Sequence, residues 1–314
     1  MSDMLAGNNH RPVLLQAALQ ALAVRPEGVY VDGTYGRGGH SREILARLGP
    51  AGRLIAIDRD PEAVTAAQVE WLDDRRFAIY RGAFSMLERI AQQTGVAGRV
   101  NGVLLDLGVS STQLDDPRRG FSFLHNGPLD MRMDPDTGES VAEWLQHAAE
   151  NEIADVIYQY GEERFSKRIA RAIVAARATA LITTTVQLAT IVSAAIPTRE
   201  RNRHPATRTF QALRIFINRE LDELSACLDQ CLRILTPGGR LAVISFHSLE
   251  DRLVKRFIRT HSRETPPDPR APWLRSTAVP LLRAIGKAIH PDAAEVAANA
   301  RARSAVLRVA ERLT

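Results

Sequence analysis

The chain has 314 residues, 45% hydrophobic and 25% charged, enough to bury one large core or two moderate ones. It contains neither a cationic leader followed by an apolar core nor an apolar run of bilayer length, so a soluble, cytoplasmic protein with no membrane partner is expected. The formal net charge of +5 is modest but uneven: Arg199 to Arg219 holds six arginines against one acid, and Arg252 to Arg303 holds eleven Lys/Arg against four Asp/Glu, which makes RNA or DNA a candidate partner.

Leu14, Leu15, Ala18, Leu19 and Leu22 recur at helical spacing and predict an amphipathic helix over 12–24, with Pro12 in its first turn. A short strand, Val29 to Val31, then meets Asp32 and a loop with four glycines in seven residues, before a helical pattern begins at Ser41. Strand, glycine loop and helix form a ligand cradle, because glycine lets backbone approach a ligand and a helix start offers free N–H groups. A second buried strand, Gly52 to Asp58, ends in an acid twenty residues after Gly38, placed to accept the hydroxyl hydrogens of a ribose.

A helix from Pro61, a third strand at Phe77 to Tyr80 and a fourth at Val100 to Leu105 follow, the last running into Asp106-Leu-Gly-Val-Ser-Ser. Strands alternating with helices predict a doubly wound, mostly parallel α/β sheet. Ligands collect at the C-terminal strand edges of such sheets, where Asp32, Asp58 and Asp106 gather, so a cationic or polyol-rich ligand is expected.

From Leu114 to Arg203 the alternation stops. A turn-rich stretch, Asp115 to Gly138, precedes helical patterns, which predicts an inserted α-helical domain over 114–203 within a sheet domain formed by 1–113 and 204–314. Arg164, Lys167, Arg168 and Arg171 form a basic stripe there, a polyanion contact or a solvated face. A long helix over Ala206 to Leu235, a fifth strand over Arg240 to Phe246, a basic helix to Arg259, an extended loop over Thr260 to Pro280 and a last strand over Ala305 to Val309 complete the reading. Cys227 and Cys231, four apart on a helix, suit buried structural thiols, and no metal site is expected. His247 and Ser248, at the fifth strand end, are further site candidates, with a structural histidine favoured for His247.

Two cofactors match a strand, a glycine loop and an acid on the second strand: a nicotinamide dinucleotide or S-adenosylmethionine. The dinucleotide pattern starting at Gly36 would put its third glycine at Ser41 and fails. The methyltransferase pattern is met by Asp32, Gly36 and Gly38, with Thr34 in place of its first glycine, and Asp32 would repel a pyrophosphate while attracting a sulfonium and an amino group.

The strings Asp32-Gly-Thr-Tyr-Gly-Arg-Gly-Gly-His-Ser, Asp106-Leu-Gly-Val-Ser-Ser-Thr-Gln-Leu-Asp, Gly127-Pro-Leu-Asp-Met-Arg-Met-Asp, His204-Pro-Ala-Thr-Arg-Thr-Phe-Gln-Ala-Leu-Arg and Ser245-Phe-His-Ser-Leu-Glu-Asp-Arg closely resemble the bacterial ribosomal RNA small subunit methyltransferase H (MraW) family. The resemblance runs along nearly the whole chain, including His10-Arg-Pro-Val-Leu. It departs where the family's Asn-Pro-Arg-Ala-Arg appears as Asn299-Ala-Arg-Ala-Arg.

The resemblance implies a class I S-adenosylmethionine-dependent methyltransferase sheet with a helical insertion for substrate recognition. It implies methylation of the exocyclic N4 of one cytidine in the decoding region of 16S ribosomal RNA within the small ribosomal subunit. Matching positions put the cofactor contacts at Gly38, Gly39, His40, Asp58, Phe84, Asp106 and Gln113, with Phe84 against adenine.

Attack on cytosine C5 would need a cysteine nucleophile at the rim, whereas N4 attacks a sulfonium methyl directly and needs only alignment and a hydrogen-bond acceptor. Asp106 is the first candidate acceptor, with Ser110 or a loop carbonyl as alternatives. The acid or Asn followed by Pro-Pro-aromatic of DNA amino-methyltransferases is missing from Asp106-Leu-Gly-Val. Candidate RNA-backbone contacts are Arg164, Lys167, Arg168, Arg171, Arg208 and Arg214. A non-catalytic RNA-binding assembly factor and a nicotinamide-dependent oxidoreductase remain as alternatives, and a homodimer stays open.

Overall fold

A computed structural model describes residues 12–198, 204–263 and 279–314. His10 and Arg11 of the first motif, the arginines at 199, 201 and 203, and most of the expected Thr260 to Pro280 loop lie outside the described residues.

The chain begins with α1 (Leu15–Leu22), β1 (Val29–Asp32), α2 (Gly39–Leu45), β2 (Arg53–Asp58), α3 (Pro61–Glu70), β3 (Phe77–Arg81), α4 (Leu87–Gln93) and β4 (Val100–Asp106). Six helices follow: α5 (Ser111–Asp115), α6 (Val141–His147), α7 (Glu150–Gly161), α8 (Ser166–Arg177), α9 (Thr185–Ala195) and α10 (Thr207–Ile217). Then come α11 (Glu220–Ile234), β5 (Leu235–Ser245), α12 (Ser248–His261), β6 (Leu282–Ala284), α13 (Ala293–Ala298) and β7 (Val306–Arg312). Two compact units result, Met1–Gly108 with Glu223–Thr314, and Val109–Asp222.

In the first unit the strands lie in the order β3-β2-β1-β4-β5-β7-β6. Neighbours from β3 to β5 are parallel, and β7 runs antiparallel to both β5 and β6. That order with one reversed strand near the edge is the class I methyltransferase sheet. β2 and β4 are buried on both faces, as parallel strands between helix layers must be. Val31, Ile55 and Leu105 face Leu224, Cys227 and Leu228 of α11, while Tyr30, Leu54 and Leu104 face Leu19 and Leu22 of α1 and Ile44 of α2. Cys227 and Cys231 are buried free thiols, as the spacing suggested.

The second unit has its own core, in which Ile153 and Ile157 of α7 and Ile169 and Ile173 of α8 meet Leu188 and Val192 of α9 and Phe210 and Leu213 of α10. The predicted boundaries 113/114 and 203/204 therefore differ from the observed 108/109 and 222/223. α10 belongs with the inserted helices because its apolar face is spent on α7: a Cβ on Gly161 would lie 2.7 Å from the Arg208 carbonyl, so glycine allows that close approach.

The single helix expected over Ala206 to Leu235 is two helices. Arg219 adopts φ 51°, a left-handed conformation that ends α10 before α11 starts. The fifth strand begins at Leu235 rather than Arg240, with Pro237-Gly-Gly inside its span and a register irregularity against β4 between Val100 and Gly102. β6 was not foreseen, since a three-residue edge strand carries too little pattern. The Asn299-Ala-Arg-Ala-Arg segment forms a tight turn in which the Asn299 side chain accepts the Arg301 N–H at 3.1 Å, so the turn does not require the family's proline.

Candidate active site

β1, β2 and β4 bring their terminal acids, Asp32, Asp58 and Asp106, to one rim of the first unit, as the strand-end spacing predicts. The three differ in how they are used. Asp32 is fully buried, and both its oxygens serve the glycine loop: Ser41 Oγ donates to Oδ2 at 2.7 Å and the Thr34 N–H to Oδ1 at 3.1 Å. Asp32 thus shapes the loop, and its charge is what it offers to a cationic ligand. Burial pushes its carboxyl up, against the lowering effect of those hydrogen bonds.

Asp58 accepts the Gly36 N–H at 2.7 Å and the Asp60 N–H at 2.8 Å, one on each oxygen. Burial, with Asp60 and Asp32 adding repulsion, pushes its carboxyl up to about 6. Each oxygen keeps a second lone pair, so the group can still accept hydroxyls.

Asp106 is the least satisfied of the three. Its Oδ1 is buried with no hydrogen-bond partner among the described residues, and its Oδ2 lies 3.6 Å from His40 Nδ1. Burial first, then the charges of Asp32 and Glu250, push its carboxyl well above the usual range. A buried acid without a donor is costly unless a ligand supplies one. His40, from the first turn of α2, directs Nε2 at the Val13 carbonyl (3.2 Å), which leaves Nδ1 as the unprotonated nitrogen facing Asp106. Burial lowers His40 to about 4, so it stands neutral.

The loop joining these acids is held from outside. The Tyr35 hydroxyl donates to Glu70 Oε2 (3.2 Å) and accepts from Trp71 Nε1 (3.1 Å), while Arg42 forms a bidentate pair with Glu70. Thr34 Oγ1 accepts the Asp106 N–H at 2.7 Å, tying the loop to the end of β4. That bond explains the residue that departs from the glycine pattern. Gly38 has φ +71°, and a Cβ there would run into the Tyr35 ring, while one on Gly39 would run into Pro12. Both glycines are therefore required by the loop's own packing, whereas the sequence suggested only a ligand's approach. Phe84 is half-buried just after β3, packed against the core beneath the sheet, with its Cβ 3.4 Å from where a Cβ on Gly33 would stand, which sets it beside the glycine loop.

Ser110 and Gln113 belong to the second unit, where they cap α5: Gln113 N donates to Ser110 Oγ (3.3 Å) and Ser110 N to Gln113 Oε1 (2.9 Å). Ser110 Oγ also lies 3.1 Å from Thr112 Oγ1. His247 caps α12: its Nδ1 accepts the Glu250 N–H at 3.4 Å while Glu250 Oε2 accepts the His247 N–H at 3.3 Å, which favours its structural reading. Glu250 itself went unnoticed in the sequence, although a Ser-Leu-Glu start after His247 carries the capping-box spacing.

Of the cations proposed for RNA, Lys167, Arg168 and Arg171 stand exposed on α8, and Arg164 lies just before it over the Phe165 ring. Arg171 approaches Glu150 at 3.7 Å, and Arg208 reaches the Glu162 carbonyl at 3.5 Å. Arg214 is a correction: it forms a bidentate pair with Glu220 at 2.7 and 2.8 Å, largely buried, and that pair occupies it within the protein. No helix among the described residues is long and apolar enough to cross a membrane.

The sequence pattern of the MraW methylase family matches residues 7–313. A ribosomal RNA small subunit methyltransferase H from Thiobacillus denitrificans is 60% identical over 305 residues, covering 97% of each chain. The protein of the same name from Thioalkalivibrio sulfidiphilus is 58% identical over 306 residues, again covering 97% of both. Among solved structures, an rRNA methylase from Streptococcus thermophilus aligns over 98% of this chain and 100% of its own at 12% identity and a TM-score of 0.40, a likeness too low to add to the fold.

Proposed function

The chain belongs to the MraW methylase family, and we propose that it methylates the exocyclic N4 of one cytidine in the decoding region of 16S ribosomal RNA in the cytoplasm. At the coarser level it is an S-adenosylmethionine-dependent ribosomal RNA methyltransferase. The observation that carries the reading is the part-buried Asp106 carboxyl, which feels the charges of Asp32 and Glu250 and has its buried Oδ1 unpartnered among the described residues. Its environment suits a cationic group alongside and an N–H donor in front.

S-adenosylmethionine supplies a methyl group on a positive sulfonium, which an amine can attack without a covalent enzyme intermediate. Asp58 accepts ribose hydroxyls with the lone pairs that Gly36 and Asp60 leave free, and Phe84 offers its ring to adenine. Gly38, Gly39 and His40 would form the wall at the start of α2, and Gln113 is the further cofactor contact that the family resemblance implies. A positive charge at the rim offsets the repulsion from Asp32 and Glu250 and draws Asp106 to its ionised form. Ionised Asp106 would then accept a hydrogen bond from N4, align the amine, and take the proton that N4 releases as the S–CH3 bond breaks and the N4–CH3 bond forms. Neutral His40, fixed by the Val13 carbonyl, keeps an uncharged nitrogen toward Asp106 and so leaves its charge to the substrate.

Ser110 is the secondary candidate acceptor, with its hydroxyl already engaged in the α5 cap. The inserted unit is the substrate-recognition part in this reading, with Lys167 and Arg168 as the foremost phosphate contacts. Labelled S-adenosylmethionine, incubated with small subunits from cells lacking the enzyme, should place label on a single N4 of cytidine, read by nucleoside mass spectrometry. Label at C5, on several sites or on none refutes the reading.

A further inference from the structure

The second unit contains a surface cavity of about 430 Å³ that none of the roles above uses. Phe123, Val186, Thr190, Ser193, Ala194 and His204 line it. Its size lies within the range of small-molecule sites. Its walls combine an aromatic platform with hydroxyls. His204, exposed, stacks on Phe123 with ring centroids 4.5 Å apart and 32° between planes, and Phe123 in turn packs edge-on against Phe210 at 4.7 Å. The platform is thus braced from the core of its unit before any ligand arrives.

The polar groups are equally set. His204 Nδ1 accepts the Ala206 N–H at 3.2 Å, which leaves Nε2 as the ring's N–H donor. Thr190 Oγ1 donates to the Val186 carbonyl at 2.8 Å and so keeps its lone pairs as acceptors. Ser193 Oγ is buried in the wall with no hydrogen-bond partner among the described residues, and can both donate and accept. No acid among the described residues lines the cavity, and α8, which packs against α9, carries the exposed Lys167 and Arg168. Val186, 41% exposed, offers an apolar edge.

We propose that this cavity receives an unpaired base of the substrate RNA, stacked on the Phe123–His204 platform and held at its edge by Ser193 and Thr190. An aromatic platform with hydroxyls able to bond a base edge, on a cationic unit, is the chemistry that recognises splayed-out RNA bases. A peptide would call for paired backbone groups along the groove, whereas the polar atoms here are side-chain hydroxyls and an imidazole. The inference rests on the proposed RNA substrate.

The test uses the full chain and a naked RNA fragment spanning the small-subunit decoding region. His204→Ala removes the stacking face, Ser193→Ala the unpartnered hydroxyl, and Ala194→Trp fills the cavity from an exposed position. His204→Ala and Ala194→Trp should each weaken RNA binding about tenfold, since base–aromatic stacking is worth a factor of roughly 5 to 150 per base. S-adenosylmethionine affinity, measured on the same samples, should not change in any variant. Ultraviolet cross-linking with 4-thiouridine-substituted RNA should attach it to the peptide containing Phe123 or His204.

RNA affinity within twofold of wild type in both His204→Ala and Ala194→Trp, or cross-links confined to other peptides, overturns the inference. A defect confined to intact small subunits, with naked RNA binding unchanged, indicates a protein partner and overturns it as well. Wild-type protein that binds RNA through this cavity yet transfers no methyl group leaves the inference standing and removes the proposed activity instead.

Discussion

The strand-end rim of the first unit and the helical surface of the second both present charge to a ligand, but they hold it differently. At the rim, Asp32 and Asp58 are buried or half-buried and are held chiefly by backbone N–H groups of the loops around them. On the helices, the charged groups are long cations, and side-chain acids decide which remain available: Glu220 takes Arg214 and Glu150 approaches Arg171, while Lys167 and Arg168 have no ion-pair partner among the described residues. Rim charges are fixed by chain geometry and desolvated, so each should matter strongly and individually. Helix-surface charges are screened, so they should act in sum and respond to salt.

The sharpest break in this comparison would come from the loop itself. Gly38→Val forces a β-branched residue to φ +71° and into the Tyr35 ring, and should remove S-adenosylmethionine binding by calorimetry together with a lowered unfolding midpoint. Retained affinity would mean that the loop does not shape the site. Arg214→Ala leaves the buried Glu220 without its guanidinium, and should cost about 1–3 kcal/mol in urea unfolding with no change in the salt dependence of RNA binding. A reduced salt slope would return Arg214 to the RNA surface.

Asp58→Ala should weaken S-adenosylmethionine binding by about 1.5–3 kcal/mol, the worth of hydrogen bonds to a charged group. The carboxyl of Asp58 stands at about 6, and only its ionised form accepts both hydroxyls at full strength. Wild-type cofactor affinity should therefore fall as pH drops through about 6, and Asp58→Asn should lose that part of the profile. The smallest effect belongs to the helix surface. Lys167→Ala and Arg168→Ala should each weaken RNA binding only a few-fold and lower the salt slope by about 1, equally across RNA sequences. Loss of specificity for one sequence would contradict a phosphate contact.

Much of the rim was legible because its information is local. A strand followed by an acid and glycines can be read from a dozen residues, and the twenty-residue spacing of Asp58 from Gly38 reflects one βαβ step. What escaped depends on contacts between distant segments. Thr34 looked like a mismatch until its hydroxyl was found bonded to the Asp106 N–H, and Gly38 looked like room for a ligand until Tyr35 was found beside it. The break at Arg219 was hidden because an apolar periodicity runs through both α10 and α11, and one left-handed residue leaves no trace in the pattern. The same limit applies to the helix cations, since spacing places Arg214 on a helix but cannot report that Glu220, six residues on, is its partner.

Asp106 is the group that receives the amine in the proposed reaction. The direct test is single-turnover methyl transfer to small subunits by wild type and Asp106→Asn, with cofactor affinity measured in parallel. The variant should be slower by about a hundredfold or more even with the cofactor site saturated, the size expected when a preorganised electrostatic partner is lost. Equal rates at saturating S-adenosylmethionine would contradict this role of Asp106.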